Sequence, residues 1–232
     1  MGNAFRVRRV IVGIVSLVCL AIVIAQSPDS WQSAPVTSPV SSEVETGQAS
    51  EILAQLPVKG RAPKTGYTRT QFGDGWAMKM GCDMRNIILN RDMRDVVIGD
   101  GCKVLSGLFT DPYTGSVMQF TRGVNTSADV QIDHVVALSN AWQTGAQQLT
   151  PDQRAALAND PLELLASSDK ANQEKSDGDA ASWLPSNKVF RCQYIARQIA
   201  VKQKYMLWVT PAERDAMNTV LIKCPGQLLP KE

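Results

Sequence analysis

Apolar and polar positions divide the chain into three stretches. Residues 10–25 form an almost unbroken apolar run behind Arg6, Arg8 and Arg9. From 26 to about 50 large apolar side chains nearly vanish in favour of Ser, Pro, Thr, Val, Gln and Glu. Beyond 51 they return at helical and strand spacings. There the pattern predicts a short helix over 51–56, and a second from a cap at Asp83 to Asn90 or Arg91, since an Asp side chain can accept from the first-turn amides. Runs at 96–98, 102–109 and 116–122 read as strands, the last two joined by the turn Asp111-Pro112-Tyr113-Thr114-Gly115. A further alternating run ends at Ile132, 137–146 is an amphipathic helix around Trp142, and 162–166 suits a short buried strand or apolar packing before the next helix. Thr150-Pro151 and Thr210-Pro211 each set a hydroxyl cap before a proline at the first helical position. A long helix is predicted from Asn187 toward Leu207, and the last helix ends near Cys224-Pro225-Gly226. Strands that present residues 132–134 at a sheet end, with helices around them, make an α+β fold.

Composition separates the three stretches further. A basic start, an apolar core and Val23-x-Ala25 describe a secretory signal over 1–25, cleaved after Ala25 or kept as a membrane anchor. Cys19 lies inside that run behind Val18, a poor setting for lipidation. Residues 26–50 hold too little apolar surface to offset chain entropy and are expected to be a disordered linker. Residues 51–232 are enough for one domain. Four cysteines remain there, Cys82, Cys102, Cys192 and Cys224, an even number suited to an oxidising compartment. Three pairings are open; Cys82 with Cys102 and Cys192 with Cys224 is favoured because each would tie neighbouring elements.

Charge narrows the choice of partner. The whole chain has 24 basic and 22 acidic side chains, and without the three arginines of the leader 21 face 22, a net of about −1. That is not the balance of a strongly duplex-binding domain, so affinity for a polyanion needs a local patch. Lys188, Arg191, Arg197, Lys202 and Lys204, with no acid between them, are either such a patch or a solvated helix face. The basic loop 57–67 either touches phosphate or packs as an arm.

The residues that carry chemistry gather in 129–177. Asp133-His134 sets a carboxylate beside the only histidine. Asn159-Asp160-Pro161-Leu162 follows, and then Asn172-x-x-Lys175-Ser176-Asp177. Taken singly, these are an ordinary hydrogen-bonded histidine, a helix stop and a solvated helix position. Taken in order they fit phosphodiester hydrolysis, which needs an activated water and a cation that stabilises charge on the phosphate. A neutral imidazole at His134 would take the proton. Asp133 and the side-chain oxygen of Asn172 would serve one Mg²⁺ or Mn²⁺, which prefers hard oxygen ligands. Asn159 would hold either the loop or the imidazole. One histidine gives too few ligands for a structural zinc.

These motifs in order are similar to those of secreted bacterial HNH nucleases. The likeness runs through Asp133-His134-Val135-Val136-Ala137-Leu138, Trp142 with Gly145-Ala146, Asn159-Asp160-Pro161-Leu162, Asn172-x-x-Lys175 and Trp183-Leu184-Pro185, and covers roughly 51–224. Asp-His followed by Asn-x-x-Lys-Ser-Asp also resembles the HNH domain of CRISPR effector nucleases. The resemblance implies a ββα-metal core with an N-terminal strand and helix extension and C-terminal helices, with His134 and Asn159 catalytic, Asp133 and Asn172 on the metal, and cleavage leaving a 5′-phosphate. Lys175, Lys188 and Arg191 are the expected substrate contacts. The substrate expected is DNA, with RNA open, cut at low sequence specificity by an exported monomer. Two other classes stay open: a non-catalytic exported nucleic-acid-binding or uptake module, and a metal phosphodiesterase for a small or cell-envelope substrate.

Overall fold

The computed structural model describes residues 47–230, so the leader, and all of the expected linker up to residue 46, lie outside the described residues. Everything described belongs to one compact unit. The first helix, α1 (Ala49–Gln55), begins two residues inside the stretch expected to be linker. Ala49, Ile52 and Leu53 recur at helical spacing and are buried, and the Ala49 amide donates to Gln227 O, so the C-terminal tail draws the helix into the domain.

The minimal hairpin β1 (Met78–Lys79) and β2 (Cys82–Asp83) leads into α2 (Met84–Asp92). As the sequence foretells, Asp83 caps this helix by accepting from the Asn86 amide. An antiparallel meander follows, β3 (Met93–Ile98), β4 (Val104–Thr110) and β5 (Val117–Thr121), in that order. Strand β3 starts three residues before its expected position and carries a register shift beside Asp95, whose φ is 52°.

The pair that frames the site is β6 (Val130–His134) antiparallel to β7 (Leu164–Ser168), with Asp133 opposite Leu165 and His134 opposite Leu164. Between them lie α3 (Leu138–Gln143) and α4 (Pro151–Ala158). Helix α5 (Asp169–Lys175) leaves β7 directly, with Ser168 as its cap, so the order is strand, strand, helix. The helices α6 (Arg191–Lys204) and α7 (Pro211–Leu221) complete the domain.

Further boundaries differ from the sequence pattern around α3, β7 and α6. Helix α3 stops at Gln143 because Gly145 takes a φ of 133°. Strand β7 begins two residues late because Asp160 holds the amides of Leu162 and Glu163 in a turn. Helix α6 starts only after a 3₁₀ turn at Lys188–Phe190 and ends at Lys204.

Two apolar cores result. The larger joins α1, α3, α4, α6 and α7; the smaller places α2 against the meander and against Val130, Ile132, Leu164 and Ala166 of the β6–β7 pair. Strand alternation therefore turns Ile132 into the small core and sends Asp133 to the other face, toward Tyr113 of the large one. Disulfides join Cys82 to Cys102 and Cys192 to Cys224, with Cα atoms 5.5 and 6.0 Å apart.

The basic run along α6 does not form one patch. Lys202 is fully buried, 3.0 Å from the equally buried Glu213; Lys204 is paired with Asp160; Arg197 donates to Leu164 O. Glu213 also accepts from the Thr210 amide to close a capping box. Lys202→Ala would strand the Glu213 carboxylate in a dry interior. Urea denaturation is expected to show a loss of about 3–5 kcal/mol for that variant, and a loss below about 1 kcal/mol would show that the pair carries no such constraint.

Candidate active site

Asp133 and His134 are the last two residues of β6. The strand ends there because the next two amides turn to Glu163: Val135 donates to its carbonyl and Val136 to Oε2. The Asp133 carboxylate is buried and clamped from two sides. Its Oδ2 accepts from the Tyr113 hydroxyl at 2.5 Å, and its Oδ1 from Lys175 Nζ at 3.0 Å. Lys175, itself buried, also donates to His134 O at 2.8 Å. Burial raises the Asp133 carboxyl above its ordinary range, against the opposing pull of Lys175 and Tyr113. Burial also lifts the neighbouring Glu163 well above the usual carboxylate range, which favours its neutral form.

Tyr113 reaches Asp133 from the turn between β4 and β5. Asp111 fixes that turn by accepting from the Tyr113 amide, the Thr114 hydroxyl and the Ser168 hydroxyl. Since Ser168 also caps α5, one buried aspartate aligns the phenol with the helix that carries Lys175.

The His134 imidazole is held through Nε2, 3.0 Å from Ala158 O. A carbonyl only accepts, so Nε2 carries the proton and Nδ1 is left as the bare nitrogen. Trp76 stacks on the ring with centroids 6.0 Å apart and planes 9° from parallel. Desolvation, and after it the charge of Arg69, lowers the imidazole from 6.5 to about 3. The ring is thus neutral at ordinary pH. Asn159 holds the loop and not the imidazole: its Oδ1 accepts from the Ala77 amide at 2.8 Å, and its amide nitrogen donates to Ala155 O and Gly75 O. That loop carries Trp76.

Asp133, His134 and Asn172 line one cleft of about 540 Å³, whose other wall holds Lys64, Tyr67 and Arg69. A smaller hollow of about 150 Å³ adjoins it between Arg69, Trp76, His134 and Ala158. The Asn172 side chain faces the cleft with no protein partner among the described residues. Among those residues no three of His, Cys, Asp and Glu come together as a metal cluster. The donors on offer in the cleft are instead hard oxygens, the Asp133 carboxylate and the Asn172 amide, a set that fits Mg²⁺ or Mn²⁺ completed by water. The Lys175 ammonium would share the carboxylate with such an ion.

The three expected substrate contacts are placed otherwise. Lys175 is spent on Asp133, and its side chain has no exposed surface to offer. Lys188 and Arg191 line a separate groove with Lys223 beside the Cys192–Cys224 bond, where Arg191 donates to Pro185 O. They sit on the flank of α6 toward α7, whereas Gln198 of the same helix turns to Val135 O behind the site. Conversely, sequence reasoning missed Tyr113, Trp76 and Arg69. Tyr113 lay hidden in a turn motif, Trp76 had only the preceding Gly73 and Gly75 as a signal, and Arg69 had none.

Comparison with known proteins gives two matches. Residues 86–220 match the family described as GmrSD restriction endonucleases, C-terminal domain. A protein named "Uncharacterized secreted protein" from Arthroderma benhamiae is 36% identical over 193 residues, covering 82% of this chain and 91% of its own length. No solved structure matches. The bacterial part of the expected resemblance gains no support from this relative.

The lone histidine makes its burial measurable. Because its folded value lies below 6.5, the unfolded chain binds the extra proton, so this group's contribution to stability rises with pH up to about 6.5 and falls as pH drops below that. Asp133 and Glu163, whose values are raised, act with the opposite sign, so the comparison must be differential. Between pH of about 6.5 and 4.5, His134→Gln is expected to show a stability slope shallower than the wild type by up to about 1.4 kcal/mol per pH unit in urea titrations. Equal slopes would mean the imidazole is not desolvated.

Proposed function

This chain belongs to the family of GmrSD restriction endonuclease C-terminal domains, and on that footing we propose that it is an exported, metal-dependent nuclease of the HNH type. The observation that carries the reading is the neutral imidazole with a bare Nδ1, set in the same cleft as Asp133 and the unpartnered Asn172. The strand–strand–helix order around it is what a ββα-metal core requires. DNA is the proposed substrate on the strength of the family match, with RNA open, cut at low sequence specificity because no element for reading base edges is found among the described residues. Export is supported by the leader pattern and by the relative named as secreted. Among the described residues no helix is long and apolar enough to cross a membrane.

In this mechanism Asp133 and Asn172 would hold one Mg²⁺ or Mn²⁺. When bound, the ion supplies Lewis-acid stabilisation of charge on the phosphate and the leaving oxygen. His134 Nδ1 takes the proton from the attacking water, and Ala158 O steadies the imidazolium that forms at Nε2–H. Trp76 stacks over the ring, and Asn159 keeps Trp76 there through Ala77 and Gly75. Tyr113 and Lys175 hold the Asp133 carboxylate in a fixed orientation.

The net charge of about −1 outside the leader favours one second reading, a phosphodiesterase for a small or cell-envelope substrate. A panel of duplex DNA, single-stranded DNA, RNA and small phosphodiesters, each with Mg²⁺, Mn²⁺ or chelator, separates the two. Cleavage of polymeric nucleic acid that needs the metal and drops about 10²–10⁴-fold in His134→Ala, with far-UV circular dichroism unchanged, is the expected result. Wild-type rates in that variant would contradict the assignment of the base, and cleavage confined to small diesters would favour the second reading.

A further inference from the structure

We propose that Arg69 is the residue that grips the phosphate undergoing cleavage, an assignment that rests on the nuclease reading above. Two cations, Lys64 and Arg69, line the cleft, with Lys175 buried behind it. Lys175 is bound to Asp133, and Lys64 is 3.1 Å from Asp177 on the far side. Arg69 makes no hydrogen bond or ion pair among the described residues, although it is exposed beside the imidazole and borders both the main cleft and the adjoining hollow. Its charge is therefore the one left uncompensated there among the described residues.

The base from which Arg69 projects is rigid. It opens the 3₁₀ turn Arg69–Phe72, whose Phe72 is buried in the large core edge-on to Trp142. Arg154 of α4 donates to Gln71 O at 2.8 Å and reaches its side-chain oxygen as well. A fixed turn thus carries a free guanidinium to the rim next to His134. A planar fork of N–H donors matches two non-bridging phosphate oxygens, and the charge it meets grows as water attacks. The absence of an internal acid partner is what keeps the fork available to an anion. Arg69, His134, Asp133 and Asn172 line the same cleft, so a diester gripped there lies among all four. The arm 57–73 then acts as a wall of the active site as well as packing.

Arg69→Ala and Arg69→Lys test this on two substrates, duplex DNA and bis(p-nitrophenyl) phosphate, which contains a single phosphate. With melting temperature unchanged, Arg69→Ala is expected to lower kcat/KM on both by about 10²-fold, with partial recovery in Arg69→Lys and on adding guanidinium. Binding of labelled DNA in chelator, read by anisotropy, should weaken, and its salt dependence should shrink by about one phosphate contact. Wild-type rates in Arg69→Ala would overturn the assignment. So would a loss on DNA alone with the small diester untouched, since that places Arg69 on a distant phosphate. A wild type inert toward every phosphodiester overturns the nuclease reading itself, and is told apart from these outcomes because they require an active wild type.

Discussion

A carboxylate without water must be answered by its neighbours, and the whole site is arranged around that demand at Asp133. Tyr113 comes from the turn after β4, Lys175 from the end of α5, and Asp133 itself from β6. Removing either partner would leave a buried acid short of a donor. The clamp has geometric consequences on both sides. His134 follows Asp133 in the strand, and its carbonyl takes the second Lys175 bond. Asn172 lies three residues before Lys175 on α5, close to one face of the helix. Fixing one ion pair therefore fixes the separation between the imidazole and the amide.

The two cores divide the work. The large one supplies Tyr113, Phe72 and the packing behind α6, while the small one backs β6 and holds Trp76 against the ring of His134. Rigidity on both sides of the strand end suits a base whose orientation must be fixed before substrate arrives. The chain turns sharply after α5 at Ser176, with φ of 51°, and this brings Asp177 to the cleft wall. There Asp177 accepts from Ser139 and Lys64, tying α3 and the 57–73 arm together. Lys64 and Asp177 are thus paired on the cleft lining, whereas Arg69 has no such partner among the described residues.

Much of this was legible in the sequence because it depends on local chemistry. Asp83, Thr150 and Thr210 cap helices by reaching amides two or three residues on, and such contacts can be read from spacing. The order Asp133-His134, Asn159 and Asn172 placed three of these residues in one cleft and the fourth, Asn159, behind the loop that covers it. The two disulfides follow the pairing that ties neighbouring elements. What could not be read were contacts across long separations. Tyr113 meets Asp133 twenty residues away, and Lys202 finds Glu213 only once α6 and α7 pack. A lysine spent on a buried acid looks identical in sequence to one that binds phosphate. Lys175 and Lys202 are two such lysines.

The single histidine allows the electrostatic core of the site to be observed directly. In metal-free protein carrying ¹⁵N-labelled histidine, one imidazole is visible by nuclear magnetic resonance, with none other to confuse it. At about pH 6, where an ordinary histidine is largely charged, the ring should be neutral, protonated at Nε2 and bare at Nδ1. An imidazolium at that pH, or a neutral ring protonated at Nδ1, would contradict the account, because no free base would then face the cleft.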